Sequence, residues 1–167
     1  MRDARFMEKA LEEAKAALAA GEFPVGCVIA DGERVIAAAG RSGSRGMCPN
    51  ELDHAEIIAL RRLQAAGDNG NRRDLTLYST MEPCLMCFGA IILNNISRIV
   101  YAYEDVMGGG TRCRLADLPP LYADARITVI PDVMRAESLE LFRAFFSDAG
   151  QIYWQDSLLA QYTLEQH

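Results

Sequence analysis

Residues 75–94 read LTLYSTMEPCLMCFGAIILN, and the two halves of this stretch obey different rules. Leu75–Ser79 is rich in β-formers and predicts a buried strand. Cys84–Asn94 predicts a helix, with Pro83 at its first turn, where a missing N–H costs little. The junction is Pro83-Cys84-Leu85-Met86-Cys87. Cysteines at i and i+3 share one helix face, so both thiolates can reach a single ion. Zinc suits such ligands, taking sulfur at about 2.3 Å and imidazole nitrogen at about 2.0–2.1 Å.

A second signal, His54-Ala55-Glu56, stands at the start of the helix upstream and offers a third ligand. His54, Cys84 and Cys87 supply three protein ligands, which leaves a fourth position for water or hydroxide. That is the arrangement of a catalytic zinc site. Zinc lowers the pKa of bound water toward about 7. Glu56 stands two residues from a ligand, close enough to move protons without ligating. Taken singly, the C-x-x-C pair also reads as redox-active or structural, and His54 beside Glu56 as a solvated helix cap. Together, on consecutive helices with a strand between them, they are far more specific.

The rest of the chain supplies the frame. Residues 3–20 place Phe6, Ala10, Leu11, Ala14 and Leu18 at helical spacing, with Gly21 as a stop. Val25–Ala30 and Arg34–Ala39 are apolar runs joined by Asp31-Gly32, a hairpin signal. Residues 40–52 read as a loop, and a helix follows from about Asp53 to Ala66, ending at Gly67. Ile99–Tyr103 and Ile127–Ile130 are further β-rich runs, and Val133–Asp148 and Ile152–Leu164 are helical. The order αββαβαβαβα predicts an α/β fold with helices on both faces of a sheet. About two dozen residues separate Tyr103 from Ile127, room for the crossover that parallel strands require.

The chain has 167 residues, which suits one domain over 1–167, with 151–167 as a C-terminal helical extension. It carries 17 basic and 23 acidic residues, a net charge of −6 that argues against coating nucleic acid with a broad basic field. The longest apolar run, Leu85–Leu93, falls well short of the roughly 20 residues of a membrane helix. The start, MRDARF, is charged and is not followed by an apolar export segment, so a cytoplasmic location is expected. The five cysteines, 27, 48, 84, 87 and 113, are then expected as thiols, with metal binding outranking disulfides for the close pair. Cys27 reads as a small buried hydrophobe, and Cys48 and Cys113 as loop residues.

The combination H-x-E…P-C-x-x-C is the signature of zinc base deaminases. On it, and on Phe23–Ile29, His54–Arg61, Thr80–Ile91 and Arg98–Tyr101, the sequence resembles the cytidine deaminase-like superfamily. Within it the sequence is similar to the branch of tRNA adenosine deaminases and purine (guanine) deaminases, from about residue 3 to 148. The resemblance implies a three-layer α/β/α fold with a five-stranded mixed sheet whose last two strands are parallel, and a homodimer. It also implies one zinc per chain on His54, Cys84 and Cys87, with Glu56 as the proton carrier. Backbone N–H groups of Ala55 and Cys84 are implied near the reacting group, with Pro24, Val25, Glu82 and Pro83 beside the substrate.

Two departures shape the expected substrate. Gly40 stands where purine-acting relatives carry an Asn that bonds the base, and Asn50 in the longer loop is a candidate replacement. The last basic residue is Arg143, and Asp148, Asp156 and Glu165 follow, the wrong sign for an RNA backbone. Phe145 and Phe146 are candidates to close the pocket, though their spacing also suits plain core packing. Tyr153, Trp154 and Tyr162 would cap the site or pack on a partner subunit. The expected function is therefore zinc-dependent hydrolytic deamination of a nucleobase, nucleoside or related amino-heterocycle, with release of ammonia. The alternatives are wobble adenosine-to-inosine deamination of tRNA, or a non-catalytic zinc-stabilised protein with a closed four-ligand shell that recruits Cys48. The expected partner is a small nucleobase-like molecule, with tRNA disfavoured and no membrane.

Overall fold

The computed structural model describes residues 2–67 and 71–166; Met1 and His167, the ends of the expected domain, lie outside them. The elements run α1 (Arg2–Ala19), β1 (Gly26–Ala30), β2 (Val35–Gly40), α2 (Ala55–Ala65), β3 (Thr76–Met81), α3 (Leu85–Leu93) and β4 (Arg98–Tyr103). They continue with α4 (Pro120–Ala123), β5 (Thr128–Ile130), α5 (Arg135–Ser147) and α6 (Leu158–Glu165). The sheet order is β2-β1-β3-β4-β5. β1 is antiparallel to both β2 and β3, while β3, β4 and β5 are mutually parallel. The crossover into β5 is mostly loop, since α4 is only four residues long. Among the described residues, no helix is long and apolar enough to cross a membrane.

Both faces of the sheet are buried, and the two-residue period of a strand assigns each side chain its layer. Val28, Ala30, Tyr78, Val100 and Ala102 face Phe6, Met7, Ala10 and Leu11 of α1. Cys27, Ile29, Leu77 and Ile99 belong to the opposite core, with Ala59 and Leu63 of α2 and Ile91 of α3. α5 touches both cores, giving Leu141 to the first and Leu139, Phe142, Phe145 and Phe146 to the second. Cys27 is fully buried as expected, and burial pushes its thiol pKa well up. Gly21, at φ +76, turns the chain out of α1 through a conformation that side chains resist.

α1 lies unusually close to the sheet. A Cβ on Gly26 would stand 2.0 Å from the Ala10 carbonyl oxygen, and one on Gly40 would stand 2.9 Å from that of Glu13. Gly40 pairs with Gly26 across β1 and β2, so both face α1. The α1 register is also pinned by charge. Arg98 donates to both carboxylate oxygens of Asp3, at 2.9 and 2.8 Å, and the Tyr78 hydroxyl donates at 3.0 Å.

Gly26→Ala overfills the α1–β1 contact and should lower the urea-denaturation stability by about 1–3 kcal/mol or more. Gly89→Ala in α3, where a Cβ meets nothing within 4 Å, should be stabilising by up to about 1 kcal/mol on propensity alone. The Arg98 hydrogen bonds hold the Asp3 carboxyl below its ordinary pKa. A depressed carboxyl contributes stability above its unfolded pKa of about 3.9 and loses it as pH falls through the folded value. Asp3→Asn should therefore be less stable than the parent at pH 7, with the difference vanishing in acid melts below the folded pKa.

Candidate active site

The site forms where two helices begin. β3 ends at Met81, and Glu82 and Pro83 carry the chain to Cys84, the N-cap of α3. His54 is the N-cap of α2, with extended φ −64° and ψ 150°. Neither side chain caps its own helix. Both are thereby free to face each other across the helix starts, where the partial positive charge of the helix ends favours anionic ligands. His54 Nδ1 stands 3.5 Å from the sulfur of Cys84 and 3.5 Å from that of Cys87. The ligand atoms of the three residues all lie within 4.8 Å of one another.

Glu56 comes next to this cluster because it occupies the first turn of α2. Its side chain is 3% exposed. Ser79 of β3 donates to Oε1 at 3.1 Å, and the Cys87 sulfur lies 3.6 Å from Oε2. Burial raises the Glu56 pKa, and the nearby Cys84 charge raises it further. Cys84 is drawn down to about 4, chiefly by the hydrogen bond from Cys87, while that bond and burial push Cys87 up. Burial lowers the His54 pKa, but the contacts with Cys84 and Glu56 outweigh it and leave it raised. A cluster of two sulfurs and an imidazole nitrogen, with one sulfur readily ionised, is the donor chemistry that zinc prefers.

The family model for the cytidine and deoxycytidylate deaminase zinc-binding region matches residues 1–103. The chain belongs to that family. It is 34% identical over 143 residues to a tRNA-specific adenosine deaminase of Streptococcus pyogenes serotype M18, covering 84% of this chain and 87% of that one. A solved structure from studies of A-to-I editing by tRNA:A34 deaminases superposes with a TM-score of 0.65 at 33% identity, covering 76% of this chain and 96% of the other. A guanine deaminase from Nitrosomonas europaea superposes at 0.66 with 25% identity, covering 83% and 81%.

In this zinc deaminase the ligand cluster opens into a cavity of about 430 Å³, walled in part by His54, Glu56 and Cys84. Of the residues expected beside the substrate, Val25, Ala55 and Glu82 are on its wall. Pro24 and Pro83 are buried next to the wall and are not among the residues that line it. Pro83 instead presents its carbonyl to the Gly110 N–H at 2.8 Å. Glu82 accepts from the Asp105 N–H at 3.2 Å and from the Thr111 hydroxyl. Gly109 and Gly110 allow this: a Cβ on either would lie within 3 Å of Glu82 or of the Cys84–Leu85 backbone.

Three expectations need correction. Phe145 and Phe146 do not close the pocket; they are core residues, packed edge-on against Phe23, and it is Phe23 that reaches the cavity. Gly40 is not a lost base contact, because its missing side chain would run into α1 on the other face of the sheet. Asn50 does not replace one, because its amide is spent within its own loop, donating to Asp53 and accepting from Leu52 and Asp53. Among the described residues, the cluster of potential metal ligands is His54, Cys84 and Cys87; exposed Cys48 is not part of it.

The sequence reading missed Arg41, Glu51 and Asp105. Arg41 is 4% exposed and reaches the wall from the loop after β2, its guanidinium donating to the carbonyls of Ser42, Asn50 and Asp53. A charged residue directly after a strand that precedes the His-x-Glu helix was the available signal. Tyr153 and Trp154 cap the cavity, one of the two roles left open for them, and Leu159 joins them from α6. Removing a donor tests the cluster: His54→Ala should lose stoichiometric zinc by metal analysis, while Cys48→Ala should retain it.

Proposed function

We propose that this deaminase hydrolyses the exocyclic amine of a small, free amino-heterocycle of the nucleobase class. Water is consumed, the ring carbon–amine bond gives way to a carbonyl, and ammonia leaves. The observation that carries the small-substrate reading is the wall built by the C-terminal segment. Tyr153, Trp154 and Leu159 stand over the cavity, and no lysine or arginine follows Arg143.

His54 through Nδ1, with Cys84 and Cys87 through their sulfurs, would hold the zinc. When bound, the metal supplies a Lewis acid that makes water nucleophilic near neutral pH. Glu56 moves the protons. Ser79 fixes its Oε1, so the carboxyl is oriented with Oε2 toward the ligand cluster. Its raised pKa suits a group that must take a proton from water and return it to a ring nitrogen and then to the departing amine. Phe23, Val25, Met81 and Leu159 give the cavity apolar surface on which a planar ring can pack.

The second reading is deamination of a wobble adenosine in tRNA, which the names of the relatives favour. Volume does not separate the two, since a flipped nucleotide also needs only a base-sized pocket. The rim does. Glu51, Glu82 and Asp105 bring carboxylates to the wall, and its arginine, Arg41, is already engaged with three carbonyls. Phosphate contacts dominate nucleic-acid affinity, and this rim offers a polyanion little.

The test is ammonia release from the zinc-loaded protein with adenine, guanine, cytosine, their nucleosides, aminated triazines and an anticodon hairpin. Glu56→Gln, loaded with zinc, should lose about 10²–10⁴ of the rate and serves as the blank. Turnover of a free ring, absent in the blank, is the expected result. Turnover of the hairpin alone, falling steeply with salt, would establish the tRNA reading instead.

A further inference from the structure

Glu51 is neither a ligand in the cluster nor on the proton path, yet its Oε2 faces three parts of the site. It accepts the Tyr153 hydroxyl at 2.8 Å, stands 3.7 Å from His54 Nε2, and stands 3.6 Å from Nη2 of Arg41. The His54 ring turns Nδ1 toward both sulfurs, so the nitrogen left to carry the ring proton is Nε2, the one that faces Glu51. An imidazole that binds a metal through one nitrogen is held in tautomer and orientation by an acceptor at the other. At 3.7 Å the carboxylate is beyond hydrogen-bond length and presents its negative charge to the Nε2–H side of the ring.

The carboxylate owes its place to groups other than His54. The buried guanidinium of Arg41 spends its hydrogen bonds on neutral carbonyls, and Glu51 is the acid within ion-pair distance that balances its charge. Tyr153 holds the same oxygen from the C-terminal segment and is itself fixed edge-on against Phe23, with ring centroids 5.2 Å apart. A movement of His54 on metal binding is therefore felt at Tyr153, and the reverse.

We propose that Glu51 is a positioning residue that orients the ligand His54 and couples it, through Tyr153, to the aromatic wall of the cavity. This rests on zinc being held by His54, Cys84 and Cys87, and is independent of which ring is deaminated. The plainer role for a half-exposed acid beside an arginine is to neutralise it. Both roles cost stability when Glu51 is removed, but only coupling makes metal binding visible at the wall. The chain supplies its own reporter there: its single tryptophan, Trp154, packs edge-on against Tyr153 with ring centroids 5.7 Å apart.

Zinc is titrated into the metal-free full chain while Trp154 fluorescence is followed, and affinity is measured by competition with a chelator. The parent should show a fluorescence change that saturates with stoichiometric zinc. Glu51→Ala should bind zinc about 10–100-fold more weakly and lose that change. Glu51→Gln, which keeps an acceptor for both partners, should recover part of the affinity and of the signal. Tyr153→Phe should bind zinc yet lose the signal. An unaltered affinity or an unaltered fluorescence response in Glu51→Ala, with its fold intact by circular dichroism, overturns the proposal. So does a parent that binds zinc with no response at Trp154. A parent that binds no zinc removes the zinc reading itself.

Discussion

Everything in this molecule depends on bringing two sulfurs, an imidazole and a carboxyl together in one buried place. Unaided, such a cluster is electrostatically costly: Cys84 ionises easily through its bond with Cys87, while burial raises Glu56 and the Cys84 bond together with burial raises Cys87. The fold offsets that cost with position. Two helix starts, α2 and α3, converge on the cluster, and their positive ends favour the anionic forms. Local sequence does the aiming. His54 and Cys84 sit at N-cap positions with extended backbone, so their side chains leave the helices; Glu56 and Cys87 lie in the first turns, on the faces turned inward.

The sheet exists to hold those helix starts at a fixed separation. β3 lies at its centre, between β1 and β4, and delivers Ser79 to Glu56 before passing directly into α3. Because β3 runs parallel to β4, the loop after β4 emerges at the same end as the site. Glycines 109 and 110 then let that loop press its backbone against Cys84 and Leu85. On the far side, Gly26 and Gly40 let α1 close down on β1 and β2. The small residues are thus spent where main chain meets main chain, and the large ones fill what remains.

This division explains what was legible beforehand. The strands, the helix starts and the ligand cluster follow from short-range pattern: alternation, Pro83 before a helix, cysteines three apart. The parallel final strands were legible too, because a hairpin cannot join them and the intervening length was present. What failed was the direction of side chains that only the assembled layers decide. Gly40 looked like a lost contact because alignment fixes position along a strand and says nothing of which face it turns to. Phe145 and Phe146 looked equally suited to pocket and core, and Phe23, farther along the chain from them, took the pocket-facing place. The last helix was expected from Ile152 but begins at Leu158. Trp154 adopts a left-handed φ of +57, which ends any helical reading there and turns the two aromatics to the cavity.

The same C-terminal segment completes the cavity wall. It is held in place by burial and by a polar knot: Arg135 pairs with Glu104, Glu104 accepts the Tyr162 hydroxyl at 2.6 Å, and Tyr103 bonds Thr163 at 3.0 Å. Leu159 and Ala160 are buried beneath it. A segment anchored so firmly is part of the wall, and what approaches the site must pass its rim. The cavity wall joins the apolar side chains of Phe23, Val25, Met81 and Leu159 to the carboxylates of Glu51, Glu82 and Asp105. Tyr153, Trp154 and Leu159 of this segment therefore close one side of the cavity beside Phe23, and the Tyr153 hydroxyl on Glu51 ties the segment to the loop that precedes His54.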